Sequence, residues 1–208
     1  MRWIKVNENY FKLGQKQIES LGEKKKLLLH SCCAPCSSHV ISYLTNFFDI
    51  TIFYYNPNIS PKEEYDKRKE EQIRLIKEID KLNKIDIIDC DYDNDIYESK
   101  IKGLECEPER GNRCTVCFNL RLSKTAFMAK ELNYDFFCST LTVSPYKNSK
   151  LLNEIGKKME EKYGVTWLYS DFKKENGYKH SIELSKKYNL YRQDYCGCKY
   201  SVRNKLQD

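Results

Sequence analysis

Five short apolar runs, most of them followed by a stretch with helical spacing, constrain this 208-residue chain more than any other feature. A short amphipathic helix is predicted over Asn9 to Leu21, and Leu27-Leu28-Leu29-His30 then reads as a compact strand. From Cys36 to Phe47 the residues Val40, Ile41 and Leu44 share one helical face, with Pro35 placed in a first helical turn. Ile50 to Tyr55 is a second strand, followed by a helix over Glu63 to Leu82 with Ile73, Ile76 and Ile79 on one face. Ile85 to Ile88, Tyr134 to Ser139 and Val165 to Tyr169 give three more strands, with helices over Arg113 to Leu132 and Leu151 to Tyr163. Strands alternating with helices predict an α/β fold, a parallel five-stranded sheet with helices on both faces. The length favours one α/β domain over 1–208, with 1–25 an N-terminal helical extension and 190–208 a C-terminal Cys-x-Cys segment.

In such sheets ligands collect beyond the carboxyl ends of the strands. The chemistry-bearing residues fall there: Cys32 after the first strand, Asn56-Pro57-Asn58 after the second, Ser139 to Pro145 after the fourth, Asp171 after the fifth.

Ten cysteines in a chain of this length, with no apolar leader at its start and no apolar run able to cross a bilayer, point to metal or redox chemistry rather than to a disulfide framework. A soluble cytoplasmic protein is expected. Cys32-Cys33-Ala34-Pro35-Cys36 lies at a predicted helix N-terminus, where unpaired amides and the helix dipole favour thiolate. Cys114-Thr115-Val116-Cys117 opens the long helix, and together the two groups supply the four thiolates of a structural zinc or of an iron–sulfur cluster. Spacing does not separate those metals. Cys196-Gly197-Cys198 suits a labile redox couple or two ligands of a second metal, because a disulfide across one residue is strained and easily reduced. Cys90, Cys106 and Cys138 are isolated and read as packing residues or free thiols, and His30 as a core or supporting histidine.

The segments His30-Ser31-Cys32-Cys33-Ala34-Pro35-Cys36-Ser37, Tyr55-Asn56-Pro57-Asn58-Ile59, Glu64-Tyr65-Asp66-Lys67-Arg68, Arg113-Cys114-Thr115-Val116-Cys117 and Tyr191-Arg192-Gln193-Asp194-Tyr195-Cys196-Gly197-Cys198 together resemble the QueH-type epoxyqueuosine reductases. The likeness runs over nearly the whole chain. It implies an adenine-nucleotide-hydrolase-like (HUP) fold and reduction of the epoxide of epoxyqueuosine at the tRNA wobble position, the last step in making queuosine. It implies further that Cys32, Cys33, Cys114 and Cys117 hold a [4Fe-4S] cluster and that Cys196 and Cys198 are the redox-active pair. Cys36 is left to join Cys196, Cys198 and Asp194 around a second, mononuclear iron, or to replace Cys32 or Cys33 on the cluster; both partitions stay open. No Ser-Gly-Gly loop of the ATP users of that fold is present, so ATP is not expected.

The reaction takes two electrons and two protons and expels oxygen as water, which calls for an external electron donor. Asp194 is expected to support the second iron, with Asp171 and Tyr195 as candidate proton donors. The partner implied is tRNA carrying epoxyqueuosine in its anticodon loop. A formal net charge of +6 allows nucleic acid without demanding it. Tyr55, Asn56, Asn58, Arg68, Arg110 and Arg113 are the expected substrate contacts, with Arg121 a further phosphate candidate and Tyr54 a further stacking face. The competing reading is a zinc-stapled RNA-binding module without redox activity.

Overall fold

The computed structural model describes residues 8–201. The first seven residues of the expected N-terminal extension and the last seven of the expected C-terminal segment lie outside the described residues.

Five strands form one wholly parallel sheet in the order β3-β2-β1-β4-β5. They are β1 (Lys25–His30), β2 (Phe48–Tyr54), β3 (Asp86–Asp89), β4 (Phe136–Ser139) and β5 (Thr166–Trp167). β1 is central, with Leu27 to His30 paired to Ile50 to Phe53 on one side and to Phe136 to Ser139 on the other. Its Leu27, Leu28 and Leu29 are completely buried, which is why this strand reads as a continuous apolar run rather than an alternating one. Each such leucine contributes about 1.5–3 kcal/mol by leaving water.

The helices α2 (Ala34–Leu44), α3 (Lys62–Glu78) and α7 (Gly177–Lys187) pack together, and α4 (Asn94–Lys100), α5 (Asn112–Glu131) and α6 (Ser149–Tyr163) form a second group. α1 (Tyr10–Glu19) packs on α6 and is tied to the sheet's edge by Gln17, whose amide donates to the Trp167 carbonyl and accepts from Tyr169 N–H. α6 starts where Asn148 accepts a hydrogen bond from Leu151 N–H, and it stops at Gly164, whose φ of 72° suits a residue without a side chain.

Three parts differ from the sequence expectation. β5 is two residues long, because only Thr166 and Trp167 pair with β4. The loop after β4 begins as a short 3-10 turn over Thr140–Val143. α4 and α7 have no counterpart in the predicted pattern. The buried face of α7 is Gly177, Ser181, Leu184 and Ser185, small and hydroxylated, so it carries little of the apolar periodicity that marks a helix in sequence.

The chain leaves β1 for β2 on one side and reaches β4 on the other, so the strand order reverses at β1. The crevice beyond the carboxyl ends at that reversal is where an open sheet binds ligands, and the turn from β1 into α2 is Ser31 to Cys33.

Candidate metal centre and substrate cavity

α2 begins at Ala34 with Pro35 in its first turn, and Cys33 precedes it in extended conformation. This places Cys32, Cys33 and Cys36 on one side of the helix start. Their sulfur atoms all lie within 4.8 Å of one another, the one such group of three among the described residues. Cys32 Sγ and Cys33 Sγ are 3.7 Å apart. Two thiolates on a single tetrahedral metal, with bonds of about 2.3 Å, stand at about that distance. The three share protons unequally: contacts from Cys33 and Cys36, helped by the charges of Arg121 and Lys147, hold the Cys32 thiol well below its ordinary pKa, while Cys36 and Cys33 are pushed up. One thiolate is thus favoured before any metal arrives.

A cavity of ≈ 520 Å³ opens beside them. Cys32, Cys33, Cys36 and Cys196 contribute to its wall, as do Arg68, Arg121, Lys147, Asp194 and Tyr195. A smaller neighbouring space is lined by Cys114, Cys117, Cys196 and Cys198. Cys196, Lys147, Tyr146 and Glu109 border both. Seven of the ten cysteines therefore surround one connected region, whereas Cys138 is buried in the core and Cys106 is exposed.

Arg121 is the cation beneath this region. It is 1% exposed, and all its partners are neutral. Its Nη2 donates to Asn56 Oδ1 at 2.6 Å, its Nε to His30 Nε2 at 3.2 Å, and its Nη1 approaches Cys117 Sγ at 3.9 Å. No carboxylate pairs with it among the described residues. His30 Nε2 also lies 3.1 Å from the Tyr55 carbonyl, and its Nδ1 is 2.9 Å from Ser139 Oγ; burial and the adjacent Arg121 push its pKa down to about 3, which keeps the ring neutral. Above the thiols Lys147 Nζ stands 3.4 Å from Cys196 Sγ. A donor set of thiols flanked by two cations, one of them buried without an anion, fits a thiolate-ligated group of net negative charge.

The Cys196-Gly197-Cys198 turn is fixed from several sides. Gly197 has φ +97°, its carbonyl accepts from Ser60 N–H at 2.9 Å, and the Cys196 carbonyl accepts from Arg68 Nη1 at 3.2 Å. Cys198 Sγ lies 3.1 Å from the Tyr97 hydroxyl.

The expected substrate contacts divide. Arg110 is exposed, and Arg68 lines the large cavity with Nε on Glu64 and a buried Nη2 that has no partner among the described residues. Arg113 does not fit the expected phosphate role: it is buried, and its Nη atoms are taken by the carbonyls of Leu104, Glu105, Glu107 and Tyr200. Arg121 is withdrawn from that role by its burial and its bonds to Asn56 and His30. Tyr54 and Tyr55 are packed in the interior and offer no stacking face, and Asn56 spends its amide on the Ser31 carbonyl and its oxygen on Arg121. Asn58 is buried beside the smaller space. Asp171 pairs with Lys173 and stands outside the walls of both spaces, whereas Tyr195 is in the wall of the larger one. Lys147, Tyr146, Tyr178 and Arg192 line the cavity without having been singled out as site residues, because nothing local in sequence separates them from surface residues.

A family model described as epoxyqueuosine reductase QueH matches residues 27–204. The epoxyqueuosine reductase QueH of Streptococcus pyogenes is 43% identical over 201 residues, 94% of this chain and 78% of its own. That of Staphylococcus epidermidis is 44% identical over 93% of this chain and 84% of its own, and that of Thermotoga maritima 34% identical over 85% and 90%. Among solved structures, the Bordetella bronchiseptica enzyme WbmH in complex with NAD+ covers 69% of this chain and 53% of its own at 13% identity with a TM-score of 0.33, too slight a likeness to inform fold or ligand.

Proposed function

The chain belongs to the epoxyqueuosine reductase QueH family and is an epoxyqueuosine reductase, an oxidoreductase; from that premise we propose that its clustered thiols hold the redox group with which it reduces epoxyqueuosine at the tRNA wobble position. The epoxide gains two electrons and two protons, an alkene forms, and the oxygen leaves as water. The electrons come from an external donor. The observation that carries this reading is Arg121, a buried guanidinium with only neutral partners that faces the thiols. A buried charge with no carboxylate partner costs several kcal/mol, and thiolates, one of them already favoured at Cys32, supply the compensating anion.

We assign Cys32, Cys33, Cys114 and Cys117 to a [4Fe-4S] cluster, and Cys36, Cys196, Cys198 and Asp194 to a second iron. When bound, the cluster would supply electrons singly and the iron a Lewis acid for the epoxide oxygen. The chain's own groups do the rest. Lys147 Nζ, beside Cys196, offers a fixed positive charge where negative charge gathers on the departing oxygen. Arg68 holds the Cys196 carbonyl and so orients the turn that carries both sulfurs. Cys36 Sγ lies within 4.8 Å of both Cys32 Sγ and Cys33 Sγ, so the iron retained by Cys36→Ser decides whether it serves the cluster or the second iron.

The strand order 3-2-1-4-5, with thiols where related sheets carry a phosphate loop, supports a HUP-type fold used without ATP. A single domain acting in the cytoplasm is part of the same proposal; no helix among the described residues is long and apolar enough to cross a membrane. The test is anaerobic incubation of iron- and sulfide-reconstituted protein with a chemical reductant and epoxyqueuosine-containing tRNA, followed by nucleoside analysis. Queuosine forms with the parent chain and is lost with Cys114→Ser or Cys196→Ser. A colourless zinc protein that leaves the epoxide intact would rule the reading out.

A further inference from the structure

Besides Tyr195, the candidate proton donor, the large cavity has two aromatic side chains in its wall that the chemistry above does not use. Tyr146, in the loop after β4, is 55% exposed, and the Arg110 guanidinium lies 5.9 Å from its ring centre. Tyr178, at the start of α7, has the Arg192 guanidinium 5.6 Å from its ring centre, with Arg192 Nη2 donating to the tyrosine hydroxyl at 3.3 Å. Arg110 and Arg192 are both exposed, and neither pairs with a carboxylate among the described residues. Two ring-and-guanidinium pairs from distant parts of the chain thus border the region that holds the thiols: half-buried Tyr178 with Arg192 in the wall of the large cavity, and exposed Tyr146 in both walls with Arg110 in that of the smaller space.

We propose that these two pairs, Arg110 with Tyr146 and Arg192 with Tyr178, clamp the single-stranded RNA on either side of the reacting nucleotide. This rests on the reading of the site as an epoxyqueuosine reductase and adds to it the surface that grips the polynucleotide. The thiols lie below the opening, so a base in an RNA loop must leave its stack to bring its substituent to them, as enzymes acting on bases generally require. The ≈ 520 Å³ cavity is within the range of about 300–1,000 Å³ that encloses a ligand of nucleoside size. Neighbouring bases that lose their stacking partner find a replacement on a tyrosine face or a guanidinium plane. The same guanidinium groups can pair with the phosphates that flank the extruded nucleotide. Glu109 and Asp194, the acidic side chains of the wall, disfavour a phosphate deep in the cavity and leave the anionic contacts at the rim.

The experiment uses the anaerobic reconstituted full chain and an anticodon stem-loop RNA, with binding followed by fluorescence anisotropy over a range of salt. Tyr146→Ala and Tyr178→Ala are each expected to weaken binding about tenfold or more. Tyr178→Phe keeps the ring and should bind as the parent does. Arg192→Gln and Arg110→Gln should each lower the slope of log affinity against log salt by about 0.7. Lys130→Gln, on the exposed end of α5, is the control and should change neither quantity. For reduction of modified tRNA, the alanine variants should show the loss in KM. Alanine variants that bind RNA within about twofold of the parent would overturn the clamp, as would a parent chain with no affinity for the stem-loop. A parent that binds the RNA tightly through these residues but spares the epoxide would leave the clamp standing and remove the reductase assignment.

Discussion

Arg121 links the fold to the chemistry more directly than any single thiol. It is held by His30 and Asn56, 91 and 65 positions away in sequence, and it faces a region bounded by cysteines. Replacing it with methionine removes a buried positive charge that has no carboxylate partner and whose favoured counter-charge in the metal-free fold is the Cys32 thiolate, so the metal-free protein should lose little stability or gain some. Metal affinity should fall about 10–100-fold, the usual effect of removing a group that supports metal ligands, and be read as iron retained against a chelator. An Arg121→Met chain that keeps parental iron under the same chelator would contradict the role assigned to it. Gly197 makes a second residue-level prediction. At φ +97° an added Cβ would stand 2.9 Å from Arg68 Nη1 and 3.0 Å from Ile59 Cγ1. Gly197→Ala should therefore cost about 1–2 kcal/mol in urea unfolding of the metal-free protein, from left-handed strain alone. It should also lower the iron bound by Cys196 and Cys198. The thiols were legible in the sequence because their spacing is itself the signal. Arg121 was visible only as one arginine among several, since a guanidinium's burial is decided by partners far along the chain.

At the scale of elements, α2 and α7 meet through His39 and His180, whose Nδ1 atoms are 3.0 Å apart. Burial, with the neighbouring His180, pushes the His39 pKa down to about 4. The folded chain therefore keeps this ring neutral at acidities where the unfolded chain, near 6.5, already takes the proton. The associated stability is fully present above about pH 6.5 and is lost as pH falls toward about 4. Allowing for partial solvent screening, about 1–2 kcal/mol should go between pH 7 and pH 5. Urea unfolding of the metal-free protein at the two pH values measures it, and His39→Phe should flatten the dependence by that amount. An unchanged pH dependence in the variant would show that the α2–α7 contact is not the sensor. β1, β2, α2, α3, α5 and α6 were legible because each buries several leucine, isoleucine, valine, phenylalanine or alanine side chains at regular spacing, even where α3 and α5 also bury arginine. α7 was not, since its buried face is glycine and serine apart from Leu184, and packing close to its neighbour replaces apolar area as its fixing contact. A Cβ at Gly177 would stand 2.5 Å from His39 Nε2.

For the molecule as a whole, the sheet's reversal at β1 brings residues from the β1–α2 turn, the start of α5, the loop after β4 and the C-terminal segment to one crevice. Strand ends pointing there could be read from the alternation of elements. The stacking and phosphate contacts could not, because Tyr55, Asn56 and Arg113 differ from Tyr146, Tyr178 and Arg192 only in which of them the folded chain buries. Tyr55 follows β2 into the interior, while Tyr146 stands in the wall of the opening. The central claim is that thiol-bound iron in this crevice delivers two electrons to an epoxide. The most direct measurement is a single-turnover reaction of the reconstituted, reduced protein with epoxyqueuosine-containing tRNA and a chemical reductant supplying two electrons per epoxide, under anaerobic conditions. Queuosine should appear as the cluster's visible absorption returns to its oxidised form, and neither change should occur with Cys114→Ser. Queuosine formed by a chain stripped of iron, or oxidation of the cluster with the epoxide left intact, would contradict it.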